Sequence, residues 1–280
     1  MIHLGQHTDN LRVLSGSFEA GVEQAVKFGM EHVECGVVYG IYYVGYMGYE
    51  PSLHMWGNPL EIRNYVESRG LRMSQIDAAF PMMDFEGSKH GVFYVQQAIR
   101  FASHLGCPKV DTTDSGKMDL TVPRDEIFAT TVRNYREVLK WAESFKVIVN
   151  VEPHGPLTND VDFMYKLMTY FESEYLRVNM DTGNTFIAGN DPFEYLKALR
   201  KYVTHCHIKD VSASLAAALR GEETGIACSE EAIGKGVNAS NIEKCLKFLN
   251  DTNWDGDASV ECAGTDANIK SSMEWLKTII

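Results

Sequence analysis

At 280 residues, with 45% hydrophobic and 23% charged side chains, the chain has enough apolar material for a sizeable core and the composition of a globular enzyme. Its 38 Asp and Glu against 26 Lys and Arg give a net charge of −12 with no basic run, which argues against nucleic acid as a partner. No apolar run reaches membrane-spanning length, MIHLGQHTDN lacks the order of a signal peptide, and the six cysteines form no CxxC pair, so the expectation is a reduced, cytoplasmic protein.

Short apolar runs then alternate with stretches of helical period. IHLGQHT reads as a strand, and SFEAGVEQAVKFG as a helix opened by Ser17 and closed by Gly29. HVECGVVYG is a second strand, followed by the Tyr- and Gly-rich loop IYYVGYMGYEPSLHMWG and the helix PLEIRNYVESRG, with Pro59 suited to a first turn. The next pairs are RMSQIDAAF with GVFYVQQAIRFASHLG, KVDTTDS with RDEIFATTVRNYREVLKWAESF, and VIVNVEPHG with NDVDFMYKLMTYF. LRVNMDTGN precedes DPFEYLKALRKY, VTHCHIKDV precedes an irregular stretch and NASNIEKCLKFLNDT, and DASVECAG precedes DANIKSSMEWLKTII. Eight βα units with no linker between them predict one α/β domain over residues 1–280, a (β/α)8 TIM barrel. The first turn, GQHT, lacks the glycine fingerprint of a dinucleotide fold. Residues 212–237 are too long for an ordinary βα loop and predict a flap, with Gly221, Gly225, Gly234 and Gly236 as hinge points.

A barrel of this kind carries its active site at the C-terminal strand ends. The last four predicted strands finish on Glu152, Asp181, His207 and Glu261, each able to bind a metal. One such ending is an ordinary solvated strand end, but four in succession select a site. Three carboxylates and one imidazole suit Mn²⁺ or Mg²⁺ and admit Co²⁺ or Zn²⁺ less specifically. Three negative charges around a divalent ion leave one in excess, so the site would accept a neutral, oxygen-bearing substrate.

Strand alternation adds further inward-facing residues. His154 and Lys209 lie two residues beyond ligands, and Asn150, Asn179, His205 and Ser259 lie two before them as a polar layer. His154 at the rim could serve as acid or base, while Lys209 and Asp210 could simply pair with each other. Cys206 and Cys262 adjoin ligands but point outward, into packing. Earlier strands offer Asp77, Asp111 and Asp114, with His7 and Glu34 placed to line the mouth. His54, Tyr42, Tyr43, Tyr46, Tyr49 and Trp56 of the second loop could cover a sugar ring or form an interface.

The strand ends VEPH, MDTGN, HCHIKD and SVEC, with GKGVNASNI before a helix, resemble the sugar phosphate isomerase/epimerase superfamily, the xylose isomerase-like barrels related to endonuclease IV. The resemblance implies one divalent metal, often Mn²⁺, on Glu152, Asp181, His207 and Glu261. It also implies that Glu152 and Glu261 act as paired bases on opposite faces of a ketose. Two departures narrow it. Asn184 stands where the epimerases usually have a histidine, and SASLAAALRG stands where the endonucleases have further ligands. The EPH ending is similar to the catalytic subunits of bacterial C-glycoside deglycosidases, which act on 3-oxo-glycosides with a small β-rich partner subunit.

The expected activity is a metal-dependent sugar isomerase or epimerase that removes a proton beside a carbonyl through a metal-stabilised enolate. The candidate catalytic residues are His154, Glu152 and Glu261. Lyase-type cleavage of an oxidised glycoside is the alternative, and a catalytically silent barrel is the third reading. The expected partner is a small sugar or glycoside, with a homo-oligomer or the β-rich subunit as the possible protein partner.

Overall fold

The computed structural model describes residues 1–14, 16–39, 51–85, 87–114, 119, 121–221, 227–261 and 263–280. Tyr42, Tyr43, Tyr46, Tyr49, Gly225 and Cys262, singled out above, lie outside the described residues.

The strands are β1 (Ile2–His7), β2 (His32–Val38), β3 (Leu53–His54), β4 (Arg72–Pro81), β5 (Lys109–Thr113), β6 (Ile148–Val151), β7 (Leu176–Asp181), β8 (Val203–Ile208) and β9 (Gly256–Val260). They pair in the order β1-β9-β8-β7-β6-β5-β4-β2-β3, and a β1–β2 pairing closes the ring. Every pairing is parallel, so eight strands form the predicted barrel, while the two-residue β3 pairs only with the end of β2 at Val37 and Val38. Helices cover such a sheet and the strand interiors are correspondingly buried; β2 and β5 are buried at every residue.

The major helices start where the sequence provides caps. In α1 (Phe18–Lys27) the Ser17 hydroxyl accepts from Ala20 N, and in α2 (Pro59–Glu67) Asn58 caps Leu60 N ahead of Pro59. The helix α3 (Val92–Leu105) ends at Gly106 with φ +76°, a left-handed stop that glycine takes without a Cβ penalty. Next come α4 (Arg124–Phe145) and α5 (Val161–Phe171), the latter capped by Asp160. The apolar core lies between these helices and the outer strand face, with Ile76, Ile99, Leu105, Leu167 and Met180 fully buried. Burial of each such side chain contributes about 1.5–3 kcal/mol.

Three elements differ from the sequence reading. The pattern of MDTGN predicts a strand running into a loop, but Asp181 instead caps a short helix, α6 (Thr182–Ile187), which precedes α7 (Pro192–Leu199). The predicted flap contains α8 (Ala213–Leu219), and its residues 222–226 lie outside the described residues. Beyond it come α9 (Ala239–Asp251) and α10 (Asp266–Leu276). The flap's last glycines are anchors instead of hinge points. Gly234 N and Gly236 N each donate to Asp210 Oδ2 at 2.9 Å, and Val211 N and Asn238 N donate to its Oδ1 at 2.8 and 3.1 Å. A Cβ on Gly236 would lie 2.3 Å from Asp210 Oδ1, so the spacing GKG is a packing requirement.

The barrel interior is polar. Lys109 Nζ reaches Asp257 Oδ2 at 2.5 Å, Arg72 also bonds Asp257, and both hold its carboxyl far below the usual range despite its burial. At β1 a Cβ on Gly5 would lie 2.2 Å from His32 Nδ1, so the two strands meet there only because one has no side chain.

Candidate metal centre

Glu152, just past β6, Asp181 at the end of β7, His207 in β8 and Glu261, just past β9, are all buried. Each offers one ligand atom, and these four atoms lie within 4.8 Å of one another. His207 Nδ1 is the hub, 2.9 Å from Glu152 Oε1, 2.8 Å from Glu261 Oε2 and 3.7 Å from Asp181 Oδ2. The α6 turn explains why Asp181 points one oxygen here. Its Oδ1 is occupied as the helix cap, accepting from Gly183 N and Asn184 N at 2.7 and 2.8 Å, which leaves Oδ2 for the centre.

The other face of His207 is fixed from below. Its Nε2 meets Glu34 Oε1 at 3.0 Å, and Glu34 Oε2 takes Ser259 Oγ at 2.7 Å and His205 Nε2 at 2.8 Å. Gln75 Nε2 donates to Glu34 Oε1 at 2.7 Å, and Asn150 in turn donates to Gln75. Glu34, expected at the mouth, is instead fully buried beneath the site because its alternation on β2 places it one layer down. Glu34, His205 and His207 also have donors within 4.8 Å, but these are committed to one another. A histidine whose far nitrogen is held by a carboxylate keeps the near nitrogen turned toward a cation.

Burial alone would lower His207, but Glu34, Glu261 and Glu152 outweigh it and raise the imidazole well above its ordinary value. Glu152 is pushed well up by burial, with His207 opposing. Burial also works against ionised Glu261, yet Lys209 and His207 hold it well below the usual range. Asp181 is likewise lowered against burial, by Lys209 first. The protein thus collects three acidic groups at one buried point and balances them with a raised imidazole and an ammonium. Such a cluster is costly without compensating charge. Asp181 Oδ2 has no well-aligned hydrogen bond, although Lys209 Nζ stands 2.8 Å away. A hard, oxygen-rich donor set with an acceptor in that condition fits a divalent cation.

Lys209 does not pair with Asp210, whose carboxylate is taken by backbone amides. Its Nζ instead lies 3.1 Å from Glu261 Oε2 and 3.2 Å from Asn184 Oδ1. Asn184 bridges further, its Nδ2 donating to Glu152 Oε1 at 3.2 Å and its Oδ1 accepting from Ala227 N at 2.9 Å. Gly183 makes room for the lysine stem, since a Cβ there would lie 2.7 Å from Lys209 Cβ. Alternation shows Lys209 facing inward; no local signal in HIKD gives its partners, which come from strands and turns distant in sequence.

His154 is half-buried at the rim. Asp114 shapes its turn, accepting from Leu157 N, Thr158 N and Thr158 Oγ1 at 2.8, 3.1 and 2.8 Å, while Thr158 Oγ1 takes His154 N at 2.7 Å. Burial, reinforced by the Lys209 charge, pushes His154 down to about 4, so its ring is neutral near neutrality. His54 and Trp56 lie tilted at 50° with centroids 4.9 Å apart, and Trp56 is 62% exposed, which keeps this pair at the surface and outside the buried cluster. Cys206 is buried as packing, as expected.

The model of the xylose isomerase-like TIM barrel family matches residues 22–279. A curated inosose dehydratase of Clostridium botulinum (strain Eklund 17B / Type B) is 25% identical over 122 residues, 42% of this chain and 39% of the relative. The chain's match thus spans about two-fifths of the length of the curated relatives. Among solved structures, a D-tagatose 3-epimerase-like protein is 18% identical with a TM-score of 0.75, covering 99% of this chain and 96% of the other. An IolI protein with a binding zinc atom is 15% identical with a TM-score of 0.74, covering 99% and 97%. Likenesses at such identity speak to the fold. No helix among the described residues is long and apolar enough to cross a membrane.

Proposed function

The chain belongs to the xylose isomerase-like TIM barrel family, and on that premise we propose that it is a divalent-metal-dependent sugar isomerase or epimerase. The observation that carries this reading is the convergence of Glu152, Asp181, His207 and Glu261 donors within 4.8 Å at the strand ends. Those four residues would hold the ion, which when bound polarises a substrate carbonyl and stabilises the negative charge developing there by several kcal/mol. His154, neutral and at the rim, takes the proton from the carbon beside that carbonyl. Its return to the opposite face gives an epimer, and its return at the neighbouring carbon gives an isomer. Ala227, within the 212–237 segment, docks on Asn184, and this supports a role for that segment in covering the site and excluding water.

A second reading is favoured by Lys209. Its ammonium against Glu261 weakens that carboxylate as a base and so argues against two-carboxylate exchange. One imidazole base with a lysine acid beside it suits β-elimination, in which Lys209 protonates the departing oxygen. That is lyase chemistry on an oxidised sugar or glycoside, and the likeness to a dehydratase points the same way. A small β-rich partner subunit belongs to this second reading, and a homo-oligomer fits either. The metal is proposed as Mn²⁺, with Mg²⁺, Co²⁺ and Zn²⁺ as candidates, and the setting as cytoplasmic.

The test is incubation of metal-loaded protein with ketoses and 3-oxo-glycosides in heavy water, reading exchange by mass and products by chromatography. Exchange with epimer or isomer products supports the first reading, and exchange with loss of water or an aglycone supports the second. Absence of exchange across the panel, with metal bound, sinks both.

A further inference from the structure

One cation of this chain already stands among the four ligands. Lys209 Nζ lies 2.8 Å from Asp181 Oδ2 and 3.1 Å from Glu261 Oε2, the two oxygens that His207 Nδ1 faces at 3.7 and 2.8 Å. Neither oxygen has an aligned hydrogen bond, so charge and not direction fixes these contacts. The same ammonium donates to Asn184 Oδ1 at 3.2 Å. Lys209 is 3% exposed, and its stem is boxed in at Gly183, where a Cβ would lie 2.7 Å from Lys209 Cβ and 3.0 Å from its Cδ. The packed stem keeps the ammonium between two settings, a pair of carboxylate oxygens on one side and a neutral amide oxygen on the other.

Buried carboxylates are costly without a counter-charge, and in the metal-free protein Lys209 supplies one. A divalent ion taken up by the same oxygens is a like charge close by, and like charges repel strongly at short range in a buried setting. The ion and the ammonium therefore compete for Asp181 and Glu261. The amide oxygen of Asn184, which also accepts from Ala227 N at 2.9 Å, is the neutral acceptor left to Lys209 when it yields. Resting on the metal-centre reading above, we propose that Lys209 is a built-in competitor for the metal, holding Asp181 and Glu261 until an ion displaces it. The lysine thereby stabilises the metal-free protein and lowers the affinity of the centre, which keeps the ion exchangeable.

The experiment strips the protein with a chelator and titrates it with Mn²⁺ in competition with a fluorescent chelator that reports free ion. Lys209→Met should bind Mn²⁺ about tenfold or more tightly than the parent, because one positive charge no longer contends for the two oxygens. Lys209→Arg, which keeps the charge, should bind no more tightly than the parent. Metal-free Lys209→Met should unfold at a lower temperature than the metal-free parent, and Mn²⁺ should raise its midpoint by more. A group that only supports its ligands gives the opposite sign, since its loss ordinarily weakens metal binding about 10–100-fold. Equal or weaker affinity in Lys209→Met, or the same gain in Lys209→Arg, overturns the competitor role. If Lys209→Met does not survive stripping, Lys209→Gln, uncharged but still a hydrogen-bond donor, replaces it under the same expectation. No Mn²⁺ binding by the parent retires the metal centre and the competitor together, whereas binding by the parent with either other failure retires the competitor alone.

Discussion

The two halves of the barrel use the same kind of residue in opposite ways. Strands β6 to β9 bring Glu152, Asp181, His207 and Glu261 to one point, where each faces a counter-charge. On the other side, β1, β4 and β5 carry His7, Asp77 and Asp111, each with one buried side-chain atom that makes no hydrogen bond. Glu34, on β2, belongs by position to the second group and by function to the first, since its carboxylate serves His207 and His205. Burial of polar groups therefore does not by itself distinguish a site that gathers charge from a layer whose hydrogen bonds are left open. The distinction lies in whether the neighbours have already answered.

The largest expected effect comes from removing the hub. His207→Ala should abolish metal binding, read by elemental analysis of purified protein, and exchange should fall to background. It should also cost about 3–5 kcal/mol in a denaturant titration, because the carboxylates around it lose their partner. Parental metal content would show that the two halves differ less than their contacts suggest.

His154→Ala comes next. The variant should keep its metal and lose about 10²–10⁴-fold in α-proton exchange, the range for a general base. Loss of metal would move His154 into the binding shell, and parental exchange would return the base to the carboxylates.

Gly183→Ala probes the lysine. A Cβ 2.7 Å from Lys209 Cβ forces that stem aside, and displacement by about 1 Å costs up to about 10²-fold in rate while metal content stays at the parental level. If kcat is unchanged with the expected clash, Lys209 is only a counter-ion.

The smallest effect is a displaced pH limb. Because burial lowers His154 to about 4, the exchange rate should hold as pH falls below 6.5 and decline only on approach to 4. His32, pushed by burial to about 3, shares the same sign. The unfolded chain binds these protons between about pH 6.5 and the folded values, so the stability contributed by these two histidines rises with pH across that window. A rate limb at the ordinary histidine value, measured in the metal-loaded protein, would remove His154 from proton transfer.

The strand ends are legible because alternation fixes which residues face inward, and the four ligands fall at the same point of four successive strands. Helix starts are legible from Ser17, Asn58 and Asp160, whose side chains cap the first turns of α1, α2 and α5. Asp181 reads as a strand end and not as a cap, because DTGN carries no apolar period and its six-residue helix is held by tertiary contact. Glu34 and Lys209 stand out in the sequence, but their places in the site do not. Their partners come from β8, β9 and the turn after β7, and such pairings depend on stagger around the barrel, which one strand does not encode.

Asp210 has a consequence for engineering. One carboxylate accepts amides from Val211, where the chain leaves β8, and from Gly234, Gly236 and Asn238, where it returns to α9. The excursion is thus stapled at its base by this carboxylate together with the Val237 N to Val211 O bond at 2.8 Å, and each doubling of a loop's length costs only about 0.6 kcal/mol in closure entropy. The barrel should tolerate a foreign peptide or a reporter grafted between these anchor points. With Asp210→Ala, the same graft should pull the exits of β8 and α9 apart.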